Sequence, residues 1–146
     1  IFELKTNPAT IQRTRHRLLE VGDEMATALG FSPSFHFVGP VDDQSAEVHS
    51  DLVAVVREAL SNAARHASPT AITVTVEAAS DGLAITVEDD GRGPGPEREG
   101  GQGLLNLEHR AERLGGSSYL EARREGGSRL RWWIPPQPTP TPYGSQ

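Results

Sequence analysis

The sequence predicts a mixed α/β (α+β) fold, a two-layer sandwich in which one mixed sheet is covered on one face by three helices. Three observations point to it. Two segments place apolar residues at helical spacing, and a third helical segment opens after a glycine-rich loop. Two further segments carry hairpin signals, the first with strict apolar/polar alternation around a tight turn. One sheet packed against one helical layer buries both kinds of apolar face together.

The elements follow in order. Asn7-Pro8 precedes Ile11, Leu18, Val21, Met25 and Leu29, which share one helical stripe, with Asn7 the expected start and Gly30 the expected stop. Ser34 to Val38 reads as a short strand ended by Gly39-Pro40, and Val41 to Ser45 as an acidic loop. A second helix is expected from about Ala46 to Ala67, with Leu52, Val55, Val56, Ala59, Leu60 and Ala63 as its apolar stripe and Ser68-Pro69 closing it. Ile72, Val74 and Val76 then alternate with Thr73, Thr75 and Glu77, and Leu83, Ile85 and Val87 return after an Asp81-Gly82 turn. Beyond the loop DDGRGPGPEREGGQG, a third helix runs from about Gln102 to Leu114 and ends at Gly115-Gly116, a good left-handed cap. Tyr119 to Arg123 and Ser128 to Ile134 make a second hairpin around Gly126-Gly127, in which one of Trp132 and Trp133 must face inward. Arg123-Arg124 reads as solvated surface. The closing PPQPTPTPYGSQ is a proline-rich tail with no means of packing a core.

Composition excludes several classes of function. The 146 residues suit one domain, and without cysteine there is no disulfide framework, thiolate metal site or cysteine nucleophile. Twenty acidic against fourteen basic residues give a net charge of −6, which argues against a sequence-independent grip on nucleic acid. No apolar run approaches the ~20 residues of a membrane span. The opening IFELKTNPAT lacks a basic start followed by an apolar stretch, so it is not read as a signal peptide. His16, His36 and His109 show no metal-ligand spacing.

Two features carry chemistry. On the second helix Glu58, Asn62 and His66 stand four residues apart, each about 40° round from the last. Arg65 joins them on a polar arc away from Val55, Ala59 and Ala63. A solvated face could carry the same residues, but asparagine is a mediocre helix former and needs a reason to sit mid-helix. The second feature is the loop. Asp89-Asp90-Gly91-Arg92-Gly93 follows directly from an apolar strand, and Gly101-Gln102-Gly103 opens the third helix. Glycines let backbone approach a ligand closely, and a helix N-terminus offers N–H groups and a positive dipole end to phosphates. An aspartate at a strand end can accept from an exocyclic amino group. There is no P-loop motif and no strand-GxGxxG-helix unit.

In this order the pieces resemble the catalytic ATP-binding domain of a sensor histidine kinase, in the GHKL (Bergerat-fold) superfamily. REALSNAARH at 57–66 resembles the N box, DDGRG at 89–93 the D-x-G-x-G box, and GQGLLNLEHRAERLGG at 101–116 the second glycine box with its helix. Gly127-Ser128 before a closing strand and Pro135 resembles the final G-[TS] element. The run GLLNLEHRAERLGG and the short lid narrow the resemblance to kinases paired with NarL-type response regulators, often redox or oxygen sensors. The opening IFELK is similar to the exit from their dimerisation helices. Residues 45–136 carry the match well, and 1–44 loosely.

The resemblance implies roles at the matching positions. Glu58 would be the general base or polarise the attacking nucleophile, and Asn62 would ligand Mg²⁺ through its carbonyl oxygen. Arg65 and His66 would lie near the phosphates of ATP, and Asp89 would recognise the adenine amino group. Gly91, Gly93, Gly101 and Gly103 would let backbone shape the pocket and lid, with Leu104 behind it and Ser128 adding a hydroxyl near the base. Residues 1–8 would link to a missing dimerisation domain, 9–136 would be the catalytic domain, and 137–146 a disordered tail. The lid, about Arg92 to Gly100, is expected to be mobile.

One departure shapes the expected function. His16, His36, His49, His66 and His109 all lack the helical, acid-flanked setting of the family's phosphoacceptor histidine. The chain therefore reads as an ATPase module that binds nucleotide without phosphorylating itself and donates to a histidine on an absent dimerisation domain. The whole protein would be a homodimer acting in the bacterial cytoplasm, free or membrane-attached, with no nucleic-acid or membrane contact by this part. Two rivals differ in class: an anti-sigma-type serine protein kinase, and a docking module that does not use nucleotide. IFELK and GLLNLEHRAERLGG speak against the first, and intact Glu58, Asn62 and Asp89 against the second.

Overall fold

The computed structural model describes residues 13–95 and 101–138. Three helices and five strands alternate along it: α1 (Thr14–Leu29), β1 (Ser34–Val38), α2 (Ala46–His66), β2 (Ile72–Ala79), β3 (Gly82–Asp89), α3 (Gln102–Arg113), β4 (Ser117–Ala122) and β5 (Ser128–Ile134). The strands form one mixed sheet in the order β1-β2-β3-β5-β4. β1 runs parallel to β2, because a whole helix connects them, and every other pair is antiparallel.

Alternation sets the layers. Ile72, Val74 and Val76 of β2 and Ile85 and Val87 of β3 are buried, as are Leu130, Trp132 and Ile134 of β5. Leu18, Leu52, Val55, Val56, Leu60, Leu104 and Leu107 meet them from the helices in one continuous core. Trp132 is the inward tryptophan, and its indole N–H donates to the Leu107 carbonyl at 3.0 Å, which satisfies the polar atom that burial would otherwise strand. Trp133 faces out and is exposed.

The element ends have local causes. Ser45 caps α2 by accepting the Val48 N–H at 3.1 Å. Gly115, at φ +90°, ends α3 as expected, with the Gly116 N–H returning to the Ala111 carbonyl. Two boundaries differ from the sequence reading. Arg13 is extended and α1 starts at Thr14, not at Asn7, which lies outside the described residues along with Pro8 and Ile11. The reason is long-range: Asp42, from the β1–α2 loop, accepts the Arg15 N–H of the first turn at 3.0 Å, and Thr14 pairs with His49 at 2.9 Å. β4 likewise starts at Ser117, two residues before Tyr119, because β5 continues far enough to pair Ser117 with Trp133.

Candidate functional site

β3 delivers Asp89 to the end of the sheet, where it is 1% exposed. Its carboxylate is held from two sides: the Gly91 N–H donates to Oδ1 at 2.9 Å and the Ser128 hydroxyl to Oδ2 at 2.8 Å. Ser128 can reach because it is Asp89's register partner at the last rung of the β3–β5 ladder. The loop after Asp89 is pressed onto the end of α2. The Arg92 N–H donates to the Ala67 carbonyl at 2.9 Å, and a Cβ on Gly91 would lie 2.1 Å from that oxygen, so no side chain fits there.

α2 contributes the polar arc. Asn62 is 3% exposed, and its amide makes no hydrogen bond among the described residues. Glu58 is half-buried and faces Arg65 at 3.6 Å, while Arg65 also donates to the Ser61 hydroxyl at 2.7 Å. His66 ends α2 and bonds to no other candidate residue among those described.

α3 closes the third side. Its N-cap, Gly101, has no side-chain cap, and its first turn holds no acidic residue, so its positive end is not compensated within the helix. Gly103 in that turn packs against α2: a Cβ there would lie 2.6 Å from Glu58 Oε2 and 3.5 Å from Arg65 Nη2. Leu104 is buried behind it as part of the core. Gly93 returns to the β4–β5 turn, where a Cβ would sit 3.3 Å from the Gly127 carbonyl. Residues from α2, the β3 exit, the start of α3 and the start of β5 thus converge. Glu97, Arg98 and Glu99 of the expected lid lie outside the described residues.

Sequence reasoning missed three supports. Asp90 accepts from the Thr70 N–H, the Ala71 N–H and the Thr70 hydroxyl, pinning the β3 exit to the α2–β2 connection. The Thr70 hydroxyl, followed by its amide, holds the Asp90 carboxyl below the ordinary 3.8. Asp51, 3% exposed on α2, receives Arg110 and Arg113 of α3 on Oδ1. Arg123 is not solvated surface as expected: its side chain is 20% exposed and its Nη1 donates to the Asp89 carbonyl at 2.9 Å. All three pairings join residues far apart in sequence, which no local pattern announces; only Asp90's place beside Asp89 hinted at a role.

A groove of about 510 Å³ lies between α2 and α3, lined by Arg57, Glu58, Asn106, His109, Arg110 and Arg113. It meets the converging residues only at Glu58. The groove is a seam between two helices, whereas the chemistry-bearing groups gather at the sheet end. Among the described residues no three His, Asp or Glu side chains cluster as a metal cage.

Comparison with known proteins agrees with this geometry. The family described as "Histidine kinase-, DNA gyrase B-, and HSP90-like ATPase" matches residues 47–138. The chain is 31% identical over 126 residues to the sensor histidine kinase LnrJ of Bacillus subtilis, covering 86% of this chain and 30% of LnrJ. It is 38% identical over 89 residues to the nitrate/nitrite sensor protein NarQ of Escherichia coli, covering 59% of this chain and 15% of NarQ. The chain therefore spans less than a third of either relative. Its fold matches the crystal structure of the ATP-binding domain of PrrB from Mycobacterium tuberculosis, with a TM-score of 0.62 at 23% identity, over 88% of this chain and 96% of that one. The chain belongs to the histidine kinase-, DNA gyrase B- and HSP90-like ATPase family, and within it has the fold and motifs of a sensor histidine kinase's ATP-binding domain.

Proposed function

We propose that this domain binds ATP with Mg²⁺ and presents the γ-phosphoryl group to a histidine on a dimerisation domain of the same protein. The observation that carries the reading is the Asp89 carboxylate, buried at the glycine-rich exit of β3 and oriented by Gly91 and Ser128. In this reading Asp89 accepts from the exocyclic amine of adenine, and Ser128 fixes its angle. Gly91 and Gly93 bring backbone close to the base, while Gly101 and Gly103 keep the start of α3 open to phosphate oxygens. Leu104 backs the pocket.

Asn62 offers its amide oxygen to Mg²⁺, which takes one or two protein oxygens and keeps several waters. Bound Mg²⁺ would offset negative charge on the transferring phosphoryl group. Glu58 orients, or takes the proton from, the incoming imidazole nitrogen. Arg65, already 3.6 Å from Glu58, supplies positive charge at the same point, and His66, one turn beyond Asn62, is assigned to the phosphates in this reading.

Residues 9–136 form the catalytic domain in this reading, with 1–8 leading from the dimerisation helices and 137–146 a tail. The NarQ likeness supports a NarL-type response regulator as the downstream partner, and in this reading the whole protein is a homodimer, free or membrane-attached, whose catalytic domain works in the cytoplasm. No described helix is long and apolar enough to cross a membrane. The test mixes this chain with a separately produced domain carrying a phosphoacceptor histidine. Radiolabel should pass from γ-labelled ATP to that histidine, and Glu58→Gln should slow transfer by about a hundredfold or more with nucleotide affinity kept. Transfer to serine, or transfer unaffected by Glu58→Gln, would overturn the reading.

A further inference from the structure

The β4–β5 turn closes without help from side chains. The Arg123 N–H donates to the Gly127 carbonyl at 3.0 Å, and the Gly126 N–H to the Arg123 carbonyl at 3.1 Å. An arginine at such a turn would ordinarily extend into water, as exposed Arg124 is free to do. Arg123 instead folds inward and gives Nη1 to the main-chain carbonyl of Asp89. Its Nε is buried without a hydrogen bond, with the Glu125 carboxylate 3.9 Å away. Burying a donor unpaired is unfavourable, and nothing in the turn requires it.

The same carbonyl is pressed against the turn from another direction. Gly127 has φ +85°, and a Cβ on it would lie 1.9 Å from the Asp89 oxygen. Among the described residues Gly91 therefore holds Oδ1 of Asp89, Ser128 holds Oδ2, and Arg123 holds its main-chain oxygen. The third restraint sets the rotation of the peptide that leads from Asp89 towards Gly91, whose N–H orients the carboxylate.

We infer that Arg123 is a positioning residue for nucleotide selection, holding the Asp89 backbone so that its carboxylate meets the amino group of a 6-aminopurine and disfavours a 6-oxopurine. This rests on the reading of Asp89 given above. A carboxylate accepts from an amine but repels a carbonyl oxygen, so discrimination depends on keeping its angle fixed.

The test titrates the full chain with ADP and with inosine diphosphate, by calorimetry, and compares Arg123→Ala, Arg123→Lys and Asp89→Asn. Arg123→Ala should weaken ADP binding about tenfold while changing inosine diphosphate binding little, so the preference between the two shrinks by the same factor. Arg123→Lys, which keeps a charged donor, should restore most of the preference. If Arg123→Ala weakens both nucleotides equally, or neither, or if every Arg123 variant fails to fold by circular dichroism, the role is overturned. Asp89→Asn separates the two readings. If it leaves the preference intact, the assignment of Asp89 fails; if it removes the preference while Arg123→Ala does not, only the role of Arg123 fails.

Discussion

Two buried aspartates, Asp89 at the end of β3 and Asp51 on α2, are handled in opposite ways. Asp89 receives an amide N–H and a hydroxyl, one on each oxygen, and sits at a strand end where glycines replace side chains. Asp51 receives two guanidinium groups on a single oxygen, while Oδ2 is buried without a partner. The first arrangement meets each oxygen with a neutral donor, which suits the recognition role proposed for Asp89. The second uses opposite charge to clamp α3 onto α2. Equal burial therefore says little about role; the chemistry of the donors separates a recognition group from a structural one.

Four substitutions would break or sharpen that contrast. Asp89→Asn is expected to have the largest effect, lowering ADP affinity on the order of a hundredfold. Its melting temperature should stay within a few degrees of wild type, because the side-chain shape is kept. Asn62→Ala should come next. On the order of tenfold in nucleotide affinity should be lost in the presence of Mg²⁺ and much less in EDTA, read by titration with a fluorescent analogue.

Asp51→Ala should show the reverse profile. Denaturant unfolding should report a loss of about 1–3 kcal/mol, tempered because both arginines are largely exposed and can return to water, while the preference for ADP over inosine diphosphate persists. If Asp51→Ala removed nucleotide preference and Asp89→Asn chiefly removed stability, the contrast would be inverted.

The smallest effect belongs to Asp90. Its carboxyl is held below 3.8, chiefly by the Thr70 hydroxyl, so the folded state favours the ionised form. The stability this supplies is present above the ordinary carboxylate value and is lost as pH falls through the lower folded value. Asp90→Asn should cost about 0.5 kcal/mol or less at pH 7, because Asp90 is exposed and solvent screens its charge, and the gap to wild type should close as pH falls below the ordinary carboxylate range. A gap that widened on acidification would mean that Thr70 and Ala71 do not favour the ionised form.

Much of the architecture was legible before any coordinates. β1, β2, β3 and β5 follow from apolar patterning and turn residues, α2 from apolar spacing with a stop at Ser68-Pro69, and α3 from its place between the glycine-rich loop and Gly115-Gly116. The elements bearing the candidate residues were legible too, because Asp89, Gly91, Asn62 and Gly103 lie in short local runs. The remainder depends on partners distant in the chain. Asp42 sets the start of α1 from beyond β1, Trp133 lengthens β4 from the opposite strand, and Arg123 finds Asp89 across 34 positions. A residue pattern reports which face is apolar, but it does not report which donor a folded carbonyl will meet.

The central claim is that nucleotide sits at the sheet end beside Asp89 and not in the α2–α3 groove. Nitrogen–proton NMR spectra of the chain titrated with ADP and Mg²⁺ test it most directly. The account predicts that the amides of Gly91, Gly93, Gly103 and Ser128 shift together and saturate with one affinity, while those of Asn106, His109 and Arg113 move little. Shifts concentrated on Asn106, His109 and Arg113, with Gly91 and Ser128 unmoved, would contradict it.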